Sequence, residues 1–288
     1  MSKIILITGA STGFGHDTAL SLIGEGYKVF ASMRDPLGKN SVHAQKLTAA
    51  GAYVVELDVI NEQSIEQAIQ IVKDQAGHID VLINNAGIAS AGVTEAFSTE
   101  QMVALFDVNV FGVHRVIRSV LPMMRENKKG LIINVGSILG RVTFPFFGIY
   151  GASKYAVEAL TDSLRYEVSQ FGVDVALVQP SAYPTDMYGS AQQPLNTDCV
   201  ESYGDVGEIP GAMFSSFMSM FEAADAPKPH DIAEAIVELI KTPDGQRPAR
   251  TVVGNSFGSE AINAAVAPIQ NTVMQTLGLG HLEVLKKS

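Results

Sequence analysis

One cysteine, Cys199, stands in 288 residues. It excludes an intramolecular disulfide and argues against a cysteine-rich metal site. The six histidines (16, 43, 78, 114, 230 and 281) are scattered and form no helical HxxxH pair, so no metal is expected. Basic charge is scarce. Twenty Lys and Arg face thirty Asp and Glu, a net charge of −10. No basic patch stands out to neutralise phosphates, and a nucleic-acid partner is not expected. Long apolar runs are missing too. Nothing approaches the roughly 18 residues of a membrane span. The opening residues, MSKIILITGA, pass from a short apolar run directly into a Gly-rich turn. A signal peptide needs a longer apolar segment and a cleavage site. The run reads as a first strand, and a cytoplasmic protein is expected. Internal repeats and low-complexity linkers are absent from the sequence.

What is present is a soluble, core-forming composition: 47% hydrophobic and 17% charged residues. Short apolar, β-branched runs fall at 3–9, 28–33, 52–59, 81–87, 131–137, 174–180 and 251–254. Amphipathic stretches lie between them, at 13–25, 62–76, 100–126 and 150–171. Strands apolar on both faces, alternating with helices, predict a parallel sheet covered on both sides. The fold class expected is α/β, a Rossmann-like doubly wound parallel sheet of about seven strands, in one domain over 1–288. The alternation stops near 186, and 186–230 reads as an irregular insertion. A tail follows at 255–288, with Ile262, Ala265, Val266, Ile269 and Val273 at helical spacing.

The first strand runs into TGASTGFG at 8–15. Gly9, Gly13 and Gly15 would let the backbone turn sharply and open a helix whose free N–H groups face a pyrophosphate. A plain strand–helix turn is the bland alternative, and the position after strand one of a βα repeat favours the phosphate cradle. An NAD site commonly carries a carboxylate at the end of strand two. Here Ser32 occupies that position, and Arg34 follows. Serine leaves room for a 2′-phosphate, and arginine pairs with one through two hydrogen bonds. NADP(H) is therefore favoured over NAD(H), although Asp35 is a possible ribose ligand in a shifted register.

Together these residues resemble the short-chain dehydrogenase/reductase family. The resemblance rests on TGASTGFG at 8–15, NNAG at 84–87, Asn109 in DVNVFG, Ser137 in INVGSILG and YGASK at 150–154, and it covers residues 4 to about 185. It implies a set of catalytic residues: Tyr150, Lys154, Ser137 and Asn109. An unperturbed phenol titrates near 10, too high for efficient proton exchange at neutrality. An ammonium four residues on along the helix favours the phenolate and lowers that value. Tyr150 would then exchange a proton with the substrate oxygen. The bland reading of the pair is a partly buried tyrosine beside a snorkelling lysine. Ser137 would hydrogen-bond the carbonyl, or simply cap a turn. The resemblance assigns Lys154 to the nicotinamide ribose and Asn109 to a water relay. It also implies cofactor contacts from Gly9, Ser11, Thr12, Gly13, Phe14, Gly15, Ser32, Arg34, Asp58, Val59, Asn85, Ala86, Gly87, Tyr150, Lys154, Pro180 and Thr185. Asp58 would touch the adenine, or else cap the next helix. After strand six the family's Pro-Gly becomes Pro180-Ser181, with an extra Pro184, which leaves the path of that loop open.

On the substrate side, Phe144, Phe146 and Phe147 sit beside the proposed acid. Phe214, Phe217, Met218 and Phe221 recur at i, i+3, i+4 and i+7, one apolar helical face. Phe144, Phe147, Phe214, Phe217 and Met218 are expected to line the pocket, with 186–230 as a lid. The substrate expected is a small hydrophobic carbonyl compound or alcohol. The segments 100–126 and 150–171 resemble the family's dimer-forming pair, so a homodimer or homotetramer is implied. Two other functions compete: a non-catalytic NADP-binding regulator, which tends to lose the tyrosine or lysine, and a sugar-nucleotide epimerase or dehydratase, whose loop reads TGxxGxxG instead of TGxxxGxG.

Overall fold

Strand and helix alternate along the chain as the apolar periodicity requires. In the computed structural model, which describes residues 2–223 and 226–286, β1 (Ile4–Ile7) leads into α1 (Gly13–Gly24), β2 (Lys28–Met33), α2 (Ser41–Ala49) and β3 (Tyr53–Glu56). Then come α3 (Glu62–Ala76), β4 (Val81–Asn84), α4 (Thr99–Phe106), α5 (Val113–Glu126) and β5 (Gly130–Val135). The second half holds α6 (Gly148–Ser169), β6 (Val173–Pro180), α7 (Thr197–Ser202), α8 (Asp205–Phe221), α9 (His230–Lys241), β7 (Arg250–Val253) and α10 (Ser259–Thr276).

The seven strands form one sheet in the order β3-β2-β1-β4-β5-β6-β7, with every pairing parallel. Successive strand residues point to opposite faces, and both faces are covered. Ile5 and Ile7 of β1 join Ala19 and Leu22 of α1, Leu47 of α2 and Ile232, Ile236 and Ile240 of α9. Ile4 and Leu6 of the same strand join Ile65, Ile69 and Val72 of α3 and Val116, Val120 and Met124 of α5. The order reverses between β1 and β4. A crevice opens at the carboxyl ends of the strands at such a switch point.

Several boundaries differ from the sequence-based expectation. The strand at 3–9 ends at Ile7, and the one at 81–87 ends at Asn84, because the glycine- and alanine-rich residues beyond them leave the ladder. The helix expected over 100–126 is interrupted. Residues Asp107–Gly112 form a π-helical segment between α4 and α5. The helix α2 was not anticipated, since only Ala44 and Leu47 of it are buried and its pattern is sparse. The segment 186–230 is not irregular: it contains α7 and α8. Residues 224–225 of that segment and 287–288 of the tail lie outside the described residues. Among the described residues, no helix is long and apolar enough to cross a membrane.

Candidate active site

A cleft of about 1070 Å³ opens over the carboxyl ends of the strands. Its floor at one end is the glycine loop. Thr8, at the end of β1, is buried, and its hydroxyl accepts hydrogen bonds from the N–H groups of Asn85 and Ala86 (both 3.1 Å). Asn85 returns two bonds, donating from Nδ2 to the carbonyls of Thr8 (2.9 Å) and Gly9 (3.0 Å). The two strand ends are thereby sewn together. Gly9 has φ +69°, and a Cβ there would lie 2.8 Å from the Cα of Ala86. At Gly15 a Cβ would lie 2.4 Å from both the Gly9 oxygen and Asn85 Nδ2. The glycines are thus required by the close approach of backbone to backbone. Gly15 serves this packing from beneath and does not line the cleft, whereas Gly9, Ser11, Thr12, Gly13 and Phe14 do. The first turn of α1 carries no carboxylate and no side-chain cap, so its N–H groups face the cleft free to bind an anion. This geometry fits a pyrophosphate.

Beyond β2 the cleft is lined by Met33, Arg34, Asp35, Lys39, Asn40 and His43. Ser32 does not line it. That residue is fully buried, and its hydroxyl donates to the carbonyl of Ile7 (2.9 Å), inside the sheet. The expected serine contact is corrected to a strand-to-strand tie. Asp35 adopts φ 45°, and its Oδ2 accepts the N–H of Lys39 (2.7 Å). Its carboxylate is thus engaged within its own loop. Asn40 donates to the Arg34 carbonyl (2.6 Å), which fixes the same turn. Lys39, Asn40 and His43 were missed along with the start of α2. Asp58 and Val59 reach the cleft from the end of β3. Asp58 is not the cap of α3; Asn61 is, accepting the N–H of Ser64 (3.1 Å).

At the other end, Ser137, Tyr150 and Lys154 meet on one wall. Ser137 follows β5, and its hydroxyl accepts the N–H of Leu139 (3.1 Å), opening a 3₁₀ turn. Tyr150 and Lys154 share one face of α6, with Lys154 Nζ 5.6 Å from the phenol ring centre. The ammonium donates to the carbonyl of Val135 (3.1 Å). Burial pushes the Tyr150 phenol up to about 12, and the neighbouring Ser137 hydroxyl acts weakly in the opposite sense. Burial also pushes Lys154 down to about 8. The expected lowering of the tyrosine by its lysine is not among the causes of the shift: desolvation dominates, raising the phenol and lowering the ammonium. A neutral phenol is suited to giving a proton.

Asn109 lies behind this wall and does not line the cleft. Its Oδ1 accepts the N–H of Ile88 (2.9 Å), and its Nδ2 donates to the Ile88 carbonyl (2.9 Å) and to Ser153 Oγ (3.1 Å). The π-helical segment turns it inward, away from its helical register. Gly87 lies between it and the lysine: a Cβ there would be 3.3 Å from Asn109 Oδ1 and 3.9 Å from Lys154 Nζ. Ala86, Gly87, Pro180 and Thr185 all reach the cleft. The path left open by Ser181 is now drawn. The Ser181 N–H bonds to the Val253 carbonyl (3.0 Å), and Tyr183 is buried edge-on against Phe14 (5.6 Å between ring centres).

The remaining wall is aromatic. Phe144, Phe147, Phe214 and Phe217 line it, but Met218 does not. One residue along a helix turns the side chain by about 100°, and Phe217 takes the cleft-facing position. Phe217 packs on Phe147, Phe221 (both 6.4 Å) and Tyr188 (5.9 Å), and Phe144 packs edge-on against Phe257 (5.3 Å). Tyr188 and Phe257 were missed by sequence reading. Tyr188 comes three residues after Thr185, which was the available signal.

The geometry agrees with what comparison to known proteins finds. A family model described as short chain dehydrogenase matches residues 3–196. The chain is 38% identical over 203 residues to a 3-ketodihydrosphingosine reductase of Bacteroides thetaiotaomicron, covering 70% of this chain and 72% of that protein. It is 32% identical over 253 residues to bovine retinol dehydrogenase 8, covering 83% and 78%. Among solved structures it resembles a short chain dehydrogenase/reductase of Burkholderia phymatum in complex with NAD (25% identity, TM-score 0.74, 95% of each chain). It also resembles an actinorhodin polyketide ketoreductase variant with NADPH (28% identity, TM-score 0.72, 87% and 95%). The chain belongs to the short-chain dehydrogenase/reductase family of nicotinamide-dependent oxidoreductases.

Proposed function

We propose that the protein interconverts a bulky apolar ketone and its secondary alcohol, with Tyr150 as the acid/base and NADP(H) as the preferred cofactor. The observation that carries this reading is the meeting of Tyr150, Lys154 and Ser137 on one wall, between the phosphate cradle and the aromatic wall. A nicotinamide cofactor, when bound, supplies or accepts the hydride. Tyr150 Oη gives its proton to the carbonyl oxygen in reduction and takes it back in oxidation. Ser137 Oγ donates a hydrogen bond to the same oxygen as negative charge develops there. Lys154 holds the ribose hydroxyls and offsets the phenolate charge. Asn109 holds the Ile88 backbone and the lysine's surroundings, where a proton relay would start.

Support for NADP(H) comes from the loop after β2. Arg34 lines the cleft, whereas the Asp35 carboxylate is engaged by the N–H of Lys39. Lys39 and His43 add basic groups there. Support for an apolar substrate comes from the ring cluster of Phe147, Tyr188 and Phe217. The 3-ketodihydrosphingosine reductase and the retinol dehydrogenase to which the chain is similar are in keeping with an apolar substrate. In this reading 186–230 serves as the substrate lid of a single-domain, cytoplasmic homo-oligomer.

The test is the rate of reduced-cofactor consumption, with NADPH and with NADH, on ketones graded by size and polarity, run beside Tyr150→Phe. NADPH consumption fastest on large apolar ketones and lost in the variant is the expected result. Cofactor binding without turnover on any ketone or alcohol would overturn it.

A further inference from the structure

Ser137 and Tyr150 must reach the same oxygen, yet they stand on different segments. The first follows β5 and the second stands in the first turn of α6. The 3₁₀ turn Ile138–Gly140 leads from Ser137 across the face of α6. It lies against that helix so closely that a Cβ on Gly140 would be 2.8 Å from Glu158 Cγ and 3.1 Å from the Lys154 carbonyl oxygen. At the next residue, Arg141 Nε comes 3.1 Å from Glu158 Oε2, as an ion pair and not as an aligned hydrogen bond. Its Nη2 lies 3.8 Å from Asp162 Oδ2, and its carbonyl accepts the Tyr155 hydroxyl (2.7 Å). Glu158 and Asp162 continue the face of α6 that begins with Lys154.

Glu158 is the hub. Its Oε2 also takes the Nε of Arg250 in β7 (2.8 Å), and its Oε1 accepts from Gln179 of β6, which in turn is held by Asn263 of α10. Arg250 also pairs with Asp162. Two guanidiniums and two carboxylates thus balance in charge, with the Glu158 side chain only 4% exposed. A buried ion pair is weak evidence of stabilisation, because desolvation offsets the attraction; its best-attested use is to fix register. Neither Glu158 nor Arg141 lines the cleft, so neither touches substrate or cofactor.

We propose that Glu158 is a positioning residue: through Arg141 it clamps the Ser137 turn to α6 and sets the separation of Ser137 from Tyr150. The proposal rests on the acid/base reading given above. Glu158→Gln keeps the shape and leaves the two guanidiniums with one carboxylate. Turnover of an apolar ketone is expected to fall ~10–100-fold, the cost of a misplacement near 1 Å. KM for the ketone and the affinity for NADPH, read from nicotinamide fluorescence, stay within about two-fold, since the groups that bind them are untouched. In a Ser137→Ala background the same substitution is expected to cost less than about two-fold in kcat, because the group it positions is already gone. Arg141→Gln, which leaves Glu158 paired with Arg250, should show the same pattern and serves if Glu158→Gln does not fold. Arg141→Lys should recover part of the loss.

Equal losses with and without Ser137 would mean a merely structural role and overturn the proposal. Unchanged kcat in folded Glu158→Gln or Arg141→Gln protein would do the same. Full turnover in Tyr150→Phe, run in parallel, would instead sink the acid/base reading, and the clamp with it.

Discussion

At the cofactor end of the cleft the surfaces are made by backbone and by residues with no room to be larger; at the substrate end they are made by rings. A Cβ added to Gly9 or Gly15 would lie 2.8 Å or less from neighbouring backbone or amide atoms. The helix α8, by contrast, buries none of its residues fully, and its rings meet Phe147 and Tyr188 across the cleft. A backbone cradle has few sequences compatible with it, so it announces itself. A ring cluster can be filled in many ways, so its composition speaks of polarity and size, not of which residue points where.

Four substitutions sharpen that comparison, from the largest expected effect down. Gly9→Ala forces a side chain into φ +69° and onto the Ala86 backbone. Cofactor affinity should fall about 100-fold or more, in keeping with a clash that neither neighbour can relieve. Near-native affinity by fluorescence titration would mean the loop is softer than its geometry. Arg34→Ala comes next. Loss of a charge-assisted pair is worth about 1.5–3 kcal/mol, so NADPH should bind roughly 10–100-fold more weakly while NADH is unaffected. An equal loss for both cofactors would reject Arg34 as the 2′-phosphate ligand.

Phe217→Ala opens the ring cluster. The KM of a large apolar ketone is expected to rise about 10-fold, in line with removing one buried aromatic contact, with NADPH affinity unmoved. A change in cofactor affinity instead would contradict the division of the cleft into two ends. The smallest effect concerns stability. Lys154 titrates near 8 in the folded chain, below its ordinary value of 10.5. Between those values the unfolded chain binds the extra proton, so stability rises as pH climbs from about 8 towards 10.5. Tyr150, raised to about 12 from 10.0, works in the opposite sense only above pH 10. Lys154→Met should flatten the rise in melting temperature between pH 8 and 10. A slope unchanged in the variant would place the titration elsewhere.

How much was legible can be followed residue by residue. Gly9, Gly13, Tyr150 and Lys154 stand where their spacing places them, because close backbone approach and a shared helical face are local constraints. Ser32 was misread because the strand's register, not its composition, sends the hydroxyl to the Ile7 carbonyl. Asn109 carries a signal as a poor helix former in a helical run, but the π-helical segment that turns it inward is decided by packing. Met218 and Phe217 are equally apolar, and only the docking of α8 selects between them. The short α2 has too few apolar residues to show its period.

The alternation of apolar runs and amphipathic helices, the glycine loop and the tyrosine–lysine pair were determined by the sequence alone, since each follows from local sterics or from a periodicity the chain carries within itself. Tertiary structure alone decided the desolvation that raises the Tyr150 phenol and lowers the Lys154 ammonium, the burial of Ser32, the turning of the Asp35 carboxylate into its own loop and the Glu158 clamp. Each of these depends on which distant segments meet, and the electrostatic cost of burial is set by those neighbours rather than by the residues themselves.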